Sequence, residues 1–217
     1  MDRRLLTVDD ALADLDALPE PVRTADVDRL IRRYVREQRD LSCLREHVLA
    51  ETRLHRVYFH GTLKQIPGAR ERLEWIDRNL LFSDWWHTDE NIDFVKDADI
   101  GAALRYARRY VADGDPFIRR WGYVMFISKL CRNESALTDI LALTHDDDHY
   151  YVQMAEAWLI AELAVFFPER VRAWLPRSGL KYGITGKAVR KICDSYRVAA
   201  ADKARFKMLR PTLKQNR

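Results

Sequence analysis

Apolar residues recur along this chain every three to four positions, with no convincing stretch of strict alternation. That is the period of an amphipathic α-helix rather than of a half-buried strand. Val8, Leu12, Leu15 and Leu18 mark a short helix over 8–18, stopped by Pro19 and Pro21. Val27, Leu30, Ile31, Tyr34 and Val35 share one face of a second helix over 25–38. The pattern predicts two more over 40–52 and 54–66, the latter closed by Pro67-Gly68. Leu73, Trp75, Ile76, Leu80 and Leu81 carry the next over 69–82. Ser83 to Glu90, rich in aromatic and acidic residues, then opens a helix expected to reach about Val95.

Punctuation is clearer in the second half. Asp99 is placed to cap a helix through Ala112 that ends at Asp113-Gly114. Asp115-Pro116 reads as N-cap and first helical position of a helix to about Cys131. Ser135 is expected to cap a helix through Leu143, and a long apolar helix spans Tyr150 to Phe167. Pro168 opens a shorter one ending near Leu175-Pro176. After a loop from Gly179 to Gly186, basic helices are expected over 187–198 and 202–209.

Helix follows helix across short turns, in pairs of roughly 35 to 45 residues, which is the pattern of a helical-repeat solenoid. The fold class is therefore all-α, with a HEAT-like repeat domain over 1–210 and a basic tail over 211–217. A compact helical bundle is the alternative. The distinction bears on function, because stacked pairs curve around an extended concave face.

Charge adds a direction to this outline. Residues 181–217 hold eleven Lys or Arg against Asp194 and Asp202, a local net of +9; the whole chain is +4, so residues 1–180 sum to −5. A basic C-terminal block points to an anionic partner, nucleic acid first, or to a solvated helical surface. Charged residues dominate the first ten positions, unlike a secretory signal, and no run approaches 18 apolar residues. Cys43, Cys131 and Cys193 are far apart and odd in number, which suits reduced thiols in the cytoplasm.

The candidate chemistry begins in the stretch Ser83-Asp84-Trp85-Trp86-His87-Thr88-Asp89-Glu90. On a helix, Trp85 stands beside Asp89 and Trp86 beside Glu90. An aromatic surface next to a carboxylate suits something cationic; a packed aromatic pair with capping acids is the plainer alternative. Arg120 lies 35 residues after Trp85, and Trp158 38 residues after Arg120. One repeat length separates each, so in a solenoid they line one surface. His145 and His149 with three aspartates between them fit no common zinc spacing and read as a capped helix connection. His55, Tyr58 and His60 read as surface or inner-face residues without assigned chemistry.

Four motifs in order carry a likeness: Trp85-x-x-x-Asp89; Phe117-Ile118-Arg119-Arg120; Tyr150-Tyr151-Val152-Gln153-Met154-Ala155-Glu156-Ala157-Trp158; and Pro168-Glu169-Arg170-Val171. Together they resemble the bacterial DNA alkylation repair family, the AlkD-type DNA glycosylases, over residues 55–210. The stretch from Lys187 to Val198, with Arg190 and Lys191, resembles that family's basic C-terminal helix pair. The resemblance implies HEAT-like repeats curved around duplex DNA and excision of N3- and N7-alkylated purines without flipping the base. It implies a monomer with no metal or other cofactor. By position, Asp89 matches the catalytic carboxylate, Trp85 and Trp158 match the aromatics that approach the lesion's deoxyribose, and Arg120 matches an arginine on the DNA backbone. Arg119, Lys187, Arg190 and Lys191 are the further expected DNA contacts. Trp86 and Thr88 depart from the family pattern, which has an acid and an apolar residue there; pairing Trp86 with Glu90 would lose the register of the surrounding residues. The alternative is a non-catalytic helical-repeat module that binds DNA or protein.

Overall fold

The computed structural model describes residues 5–215. It is all-helical: among the described residues the only extended pairing is an isolated bridge between Leu5 and Asp40. The chain forms two compact units, Met1–Ser83 and Asp84–Arg217, with the boundary just ahead of the aromatic-acidic stretch.

In the first unit, α1 (Val8–Asp16) starts with a reciprocal cap. The Thr7 hydroxyl accepts from the Asp10 N–H at 3.1 Å, and the Asp10 carboxylate accepts from the Thr7 N–H at 3.3 Å. Helix α2 (Thr24–Arg36) buries Leu30, Ile31 and Tyr34, and Arg33 and Tyr34 both donate to Asp14 of α1. Helices α3 (Arg53–Gln65) and α4 (Ala69–Arg78) follow. The expected helix over 40–52 is instead a 3-10 turn, Ser42–Leu44, and further turns. Leu41 and Leu44 are both buried, and a spacing of three suits a 3-10 turn as well as an α-helix. His55, Tyr58 and His60, expected as surface or inner-face residues, are buried in this unit. His55 stacks on Phe59 at 4.3 Å, inside a cluster with Tyr58, Trp75 and Phe82.

The second unit opens with α5 (Trp85–Asp89), whose first N–H donates to Asp84 at 2.6 Å. The helix stops at Asp89, and a 3-10 turn at Ile92–Phe94 replaces the continuous run expected to Val95. The caps at Asp99 and Asp115 form as their sequences suggest. Asp99 receives the Ala102 N–H of α6 (Ile100–Tyr110), and Asp115 receives the Phe117 N–H of α7 (Pro116–Val124). Gly122 lets α7 lie close to α6, since a Cβ there would stand 3.1 Å from the Val111 nitrogen.

Helix α7 ends at Val124, short of Cys131, because the chain turns through 125–129 into a 3-10 segment at Leu130–Arg132. Asn133 receives the Ala136 N–H and caps a 3-10 turn, Glu134–Ala136, that runs into α8 (Leu137–Leu141); Ser135 lies inside that turn and is not the cap. Next come α9 (Tyr150–Phe166), α10 (Pro168–Trp174), α11 (Tyr182–Asp194), α12 (Ala200–Met208) and α13 (Arg210–Leu213). Helix α9 is the centre of the unit and packs against α7, α10 and α11. Helix α11 starts five residues earlier than the sequence pattern suggests. Burial of Ile184, Thr185, Ala188, Val189 and Ile192 outweighs the penalty of about 1 kcal/mol for each of Gly183 and Gly186. Helical structure also continues beyond 210, and Leu213 of α13 is fully buried.

Candidate active-site cleft

Helices α5, α7, α9 and α11 of the second unit contribute to one cleft of about 340 Å³. It is lined by Trp85 and Asp89 from α5, Arg120 from α7, Tyr150, Tyr151, Met154 and Trp158 from α9, and Lys191 from α11. Five residues singled out in the sequence thus meet in one place. Trp86 and Glu90 are not part of this lining.

Each contributor owes its position to local chemistry. The Asp84 cap fixes the start of α5, so Trp85 and Asp89 fall one turn apart on one side. The Thr88 hydroxyl donates to Asp89 Oδ1 at 3.0 Å and to the Trp85 carbonyl at 2.7 Å. Arg120 is buried and grips Asp89 with two parallel bonds, Nε to Oδ1 at 2.9 Å and Nη2 to Oδ2 at 2.6 Å. Its Nη1 donates to the Tyr151 carbonyl at 2.6 Å. Such a fork fixes the plane of a carboxylate as well as its place. In this structure Arg120 thus serves Asp89 and α9.

The aromatic walls are accessible. Trp85 is 42% exposed, against 0% for the core residue Trp121, and its ring is near-parallel to Tyr151 with centroids 6.5 Å apart. Trp158 is half-buried, and the Lys191 amine sits 5.9 Å from its ring centroid. Burial pushes the Lys191 amine below the usual lysine range; the Arg120 charge adds to that and Asp89 opposes it.

The remaining expected DNA contacts divide into three kinds. Arg119 points elsewhere: it binds Asp147 through Nε at 2.6 Å and donates to the carbonyls of Asp113 and Gly114. Lys187 donates to Gln153 Oε1 at 2.7 Å and to the Gly183 carbonyl at 2.8 Å, and lies 5.8 Å from the Tyr150 ring centroid. Arg190 is well exposed, with only a long 3.8 Å pairing to Asp194. Tyr150 and Met154 were not assigned to the site from the sequence, although Tyr150, Met154 and Trp158 follow one another at intervals of four and so share one face of α9.

The loop 144–149 behind α9 is a structural brace. Asp147 receives the His149 N–H at 2.7 Å, and Asp146 receives the Lys181 N–H at 2.7 Å. Glu156, on the buried side of α9, receives the His145 N–H at 2.9 Å. Its burial pushes that carboxyl up to about 8. Among the described residues no group of three or more His, Cys, Asp or Glu could hold a metal ion. None of the described helices is long and apolar enough to cross a membrane.

The family model of the DNA alkylation repair enzymes matches residues 20–192, which take in every lining residue of the cleft. The chain belongs to that family. No curated protein and no solved structure matches it. As a member of the DNA alkylation repair family it has DNA as its expected substrate. The cleft supplies a fixed carboxylate, two accessible indoles and a half-buried amine toward it.

Proposed function

We propose that this protein is a DNA glycosylase that hydrolyses the N-glycosidic bond of N3- and N7-alkylated purines in duplex DNA. The observation that carries the reading is Asp89, a carboxylate held on both oxygens by Arg120 in a cleft walled by Trp85 and Trp158. An N3- or N7-alkylated purine bears positive charge, so its bond to C1′ is weak. As that bond breaks, the electron pair leaves with the base and positive charge grows on the deoxyribose, as in other glycoside cleavages. Asp89 stabilises that charge without moving, because Arg120 has already oriented it. The indole faces attract the polarised sugar C–H groups. Water held by Asp89 adds to C1′ and loses its proton through the carboxylate to solvent. The products are a neutral alkylpurine and an abasic site.

Exposure of Trp85, Tyr150 and Tyr151 leaves the cleft accessible, so the sugar edge of a stacked nucleotide can reach it without extrusion of the base. We read the successive packed helices of the second unit as HEAT-like repeats acting as a monomer, with Lys187, Arg190 and Lys191 toward DNA phosphates. A second reading, a module that binds DNA without turnover, has one observation in its favour: both Asp89 oxygens already accept from Arg120. Each carboxylate oxygen has a second lone pair, so the pairing leaves acceptor capacity for water. Incubation with duplex DNA containing N7-methylguanine decides between them. The glycosylase releases the base well above the spontaneous rate; release at the spontaneous rate with retained binding supports the module.

A further inference from the structure

Thr88 has no part in the bond breaking described above, yet it is fully buried between the two α5 residues of the cleft. Its hydroxyl lies 2.7 Å from the Trp85 carbonyl and 3.0 Å from Asp89 Oδ1. Both neighbours are acceptors only, and the hydroxyl has one proton to share between them. With that proton wholly on the carbonyl, the hydroxyl lone pairs would face an ionised Oδ1 at 3.0 Å, so the charge of Asp89 draws the proton toward Oδ1.

The acceptor positions of Asp89 are then unequally filled. An ionised carboxylate offers about four lone-pair positions, two on each oxygen. Oδ1 accepts from Arg120 Nε at 2.9 Å and from Thr88. Among the described residues Oδ2 accepts from Arg120 Nη2 alone, at 2.6 Å. The open position is therefore on Oδ2. We propose that Thr88 is a positioning residue: its hydroxyl closes Oδ1 of Asp89, so that the attacking water is held by Oδ2. This rests on the reading of Asp89 as the carboxylate that stabilises the sugar and holds the water. Arg120 by itself leaves an open position on each oxygen, and so two places for water; Thr88 removes one. It also ties Asp89 to the Trp85 carbonyl, which fixes the carboxylate relative to the indole wall. Placement matters because a shift of about 1 Å in a reacting group can cost about 10²-fold in rate. The water adds to C1′, and its proton passes through Oδ2 to solvent.

Three substitutions in the full chain test this. Thr88→Val keeps the shape and loses the hydroxyl, Thr88→Ser keeps the hydroxyl and loses the methyl, and Thr88→Ala loses both. The readouts are single-turnover release of N7-methylguanine from duplex DNA at saturating protein, affinity for the same duplex, and melting temperature. Thr88→Val is expected to release the base about five- to tenfold more slowly than the wild type, with affinity within about twofold. Thr88→Ser should restore release to within about twofold of the wild type. A packing role gives the opposite order, with Thr88→Val near the wild type and Thr88→Ser slow. If Thr88→Val melts below the assay temperature, Thr88→Ser against Thr88→Ala, which differ by the hydroxyl alone, takes its place. Rates that follow side-chain volume, Thr88→Val at the wild-type rate, or rates that fall only in step with affinity overturn the proposal. A wild type that releases no base above the spontaneous rate overturns the glycosylase reading and this proposal with it. An active wild type whose rate is indifferent to the hydroxyl overturns this proposal alone.

Discussion

The two units of this protein use the same residue types in opposite ways. In the first, His55, Tyr58, Phe59, Trp75 and Phe82 meet ring to ring, and all but the half-buried Trp75 are closed off from water. In the second, Trp85, Tyr150, Tyr151 and Trp158 meet around open space, with a carboxylate and an amine among them. Aromatic density alone therefore does not mark a site. What separates the two clusters is solvent access together with a charged group that the fold holds in place.

The sharpest way to break this contrast is to remove one ring from each cluster. Phe59→Ala should lower unfolding free energy by about 3–5 kcal/mol, read from denaturant melts, because the ring is fully enclosed. Trp85→Ala should change stability by no more than about 1 kcal/mol while reducing alkylpurine excision about tenfold. Equal stability losses in the two variants would mean that Trp85 is a packing residue and that the contrast fails.

Next in size is Asp89→Asn. It removes the charge and keeps the shape, so excision should fall by about 10²–10³-fold, as when a preorganised electrostatic partner of the transition state is lost. Binding to undamaged duplex, measured in parallel, should stay within a few-fold of the wild type. Excision at near wild-type rate would remove Asp89 from the chemistry and leave the Arg120 pairing as a purely structural clamp.

These two variants rest on features of different legibility. Helix starts at Asp99 and Asp115-Pro116 could be read directly, because cap chemistry is local. The stop of α7 at Val124 and the early start of α11 could not, because tertiary packing decides them. Repeat-length spacing and family likeness brought Trp85, Asp89, Arg120 and Trp158 together in the sequence reading, and the cleft holds all four. The destinations of Arg119 and Arg120 were not legible. They are adjacent in the chain and about 100° apart on the helix, so one turns to Asp147 and the other to Asp89. His55 and His60 were misread because a helix that buries several faces shows no clean polar stripe.

A smaller effect tests the support of the second cluster. Glu156 lies on the buried side of α9, and its carboxyl is raised from 4.5 to about 8 in the folded protein. Between those values the native state keeps a proton that the unfolded chain has released. Its contribution to stability is thus fully present below pH 4.5, falls as pH rises toward 8, and levels off above that. Glu156→Gln should remove this slope. Its melting temperature relative to wild type should climb by about 3 °C or more between pH 5 and pH 8. Parallel curves for the two proteins would show that Glu156 does not hold its proton.

The smallest expected effect separates grip from chemistry. Arg190 is exposed and only loosely paired with Asp194, so it is free to meet a phosphate without disturbing the cleft. Arg190→Ala should weaken binding to any duplex by a few-fold and lower the salt slope of log K by about one. Single-turnover excision at saturating protein should not change, because Arg190 touches none of the groups that hold Asp89. A fall in the saturated rate would instead tie the basic face of α11 to the alignment of the cleft. The open aromatic cluster would then be a site only in concert with the surface beside it, and exposure with one fixed charge would no longer suffice to distinguish it from the enclosed cluster of the first unit.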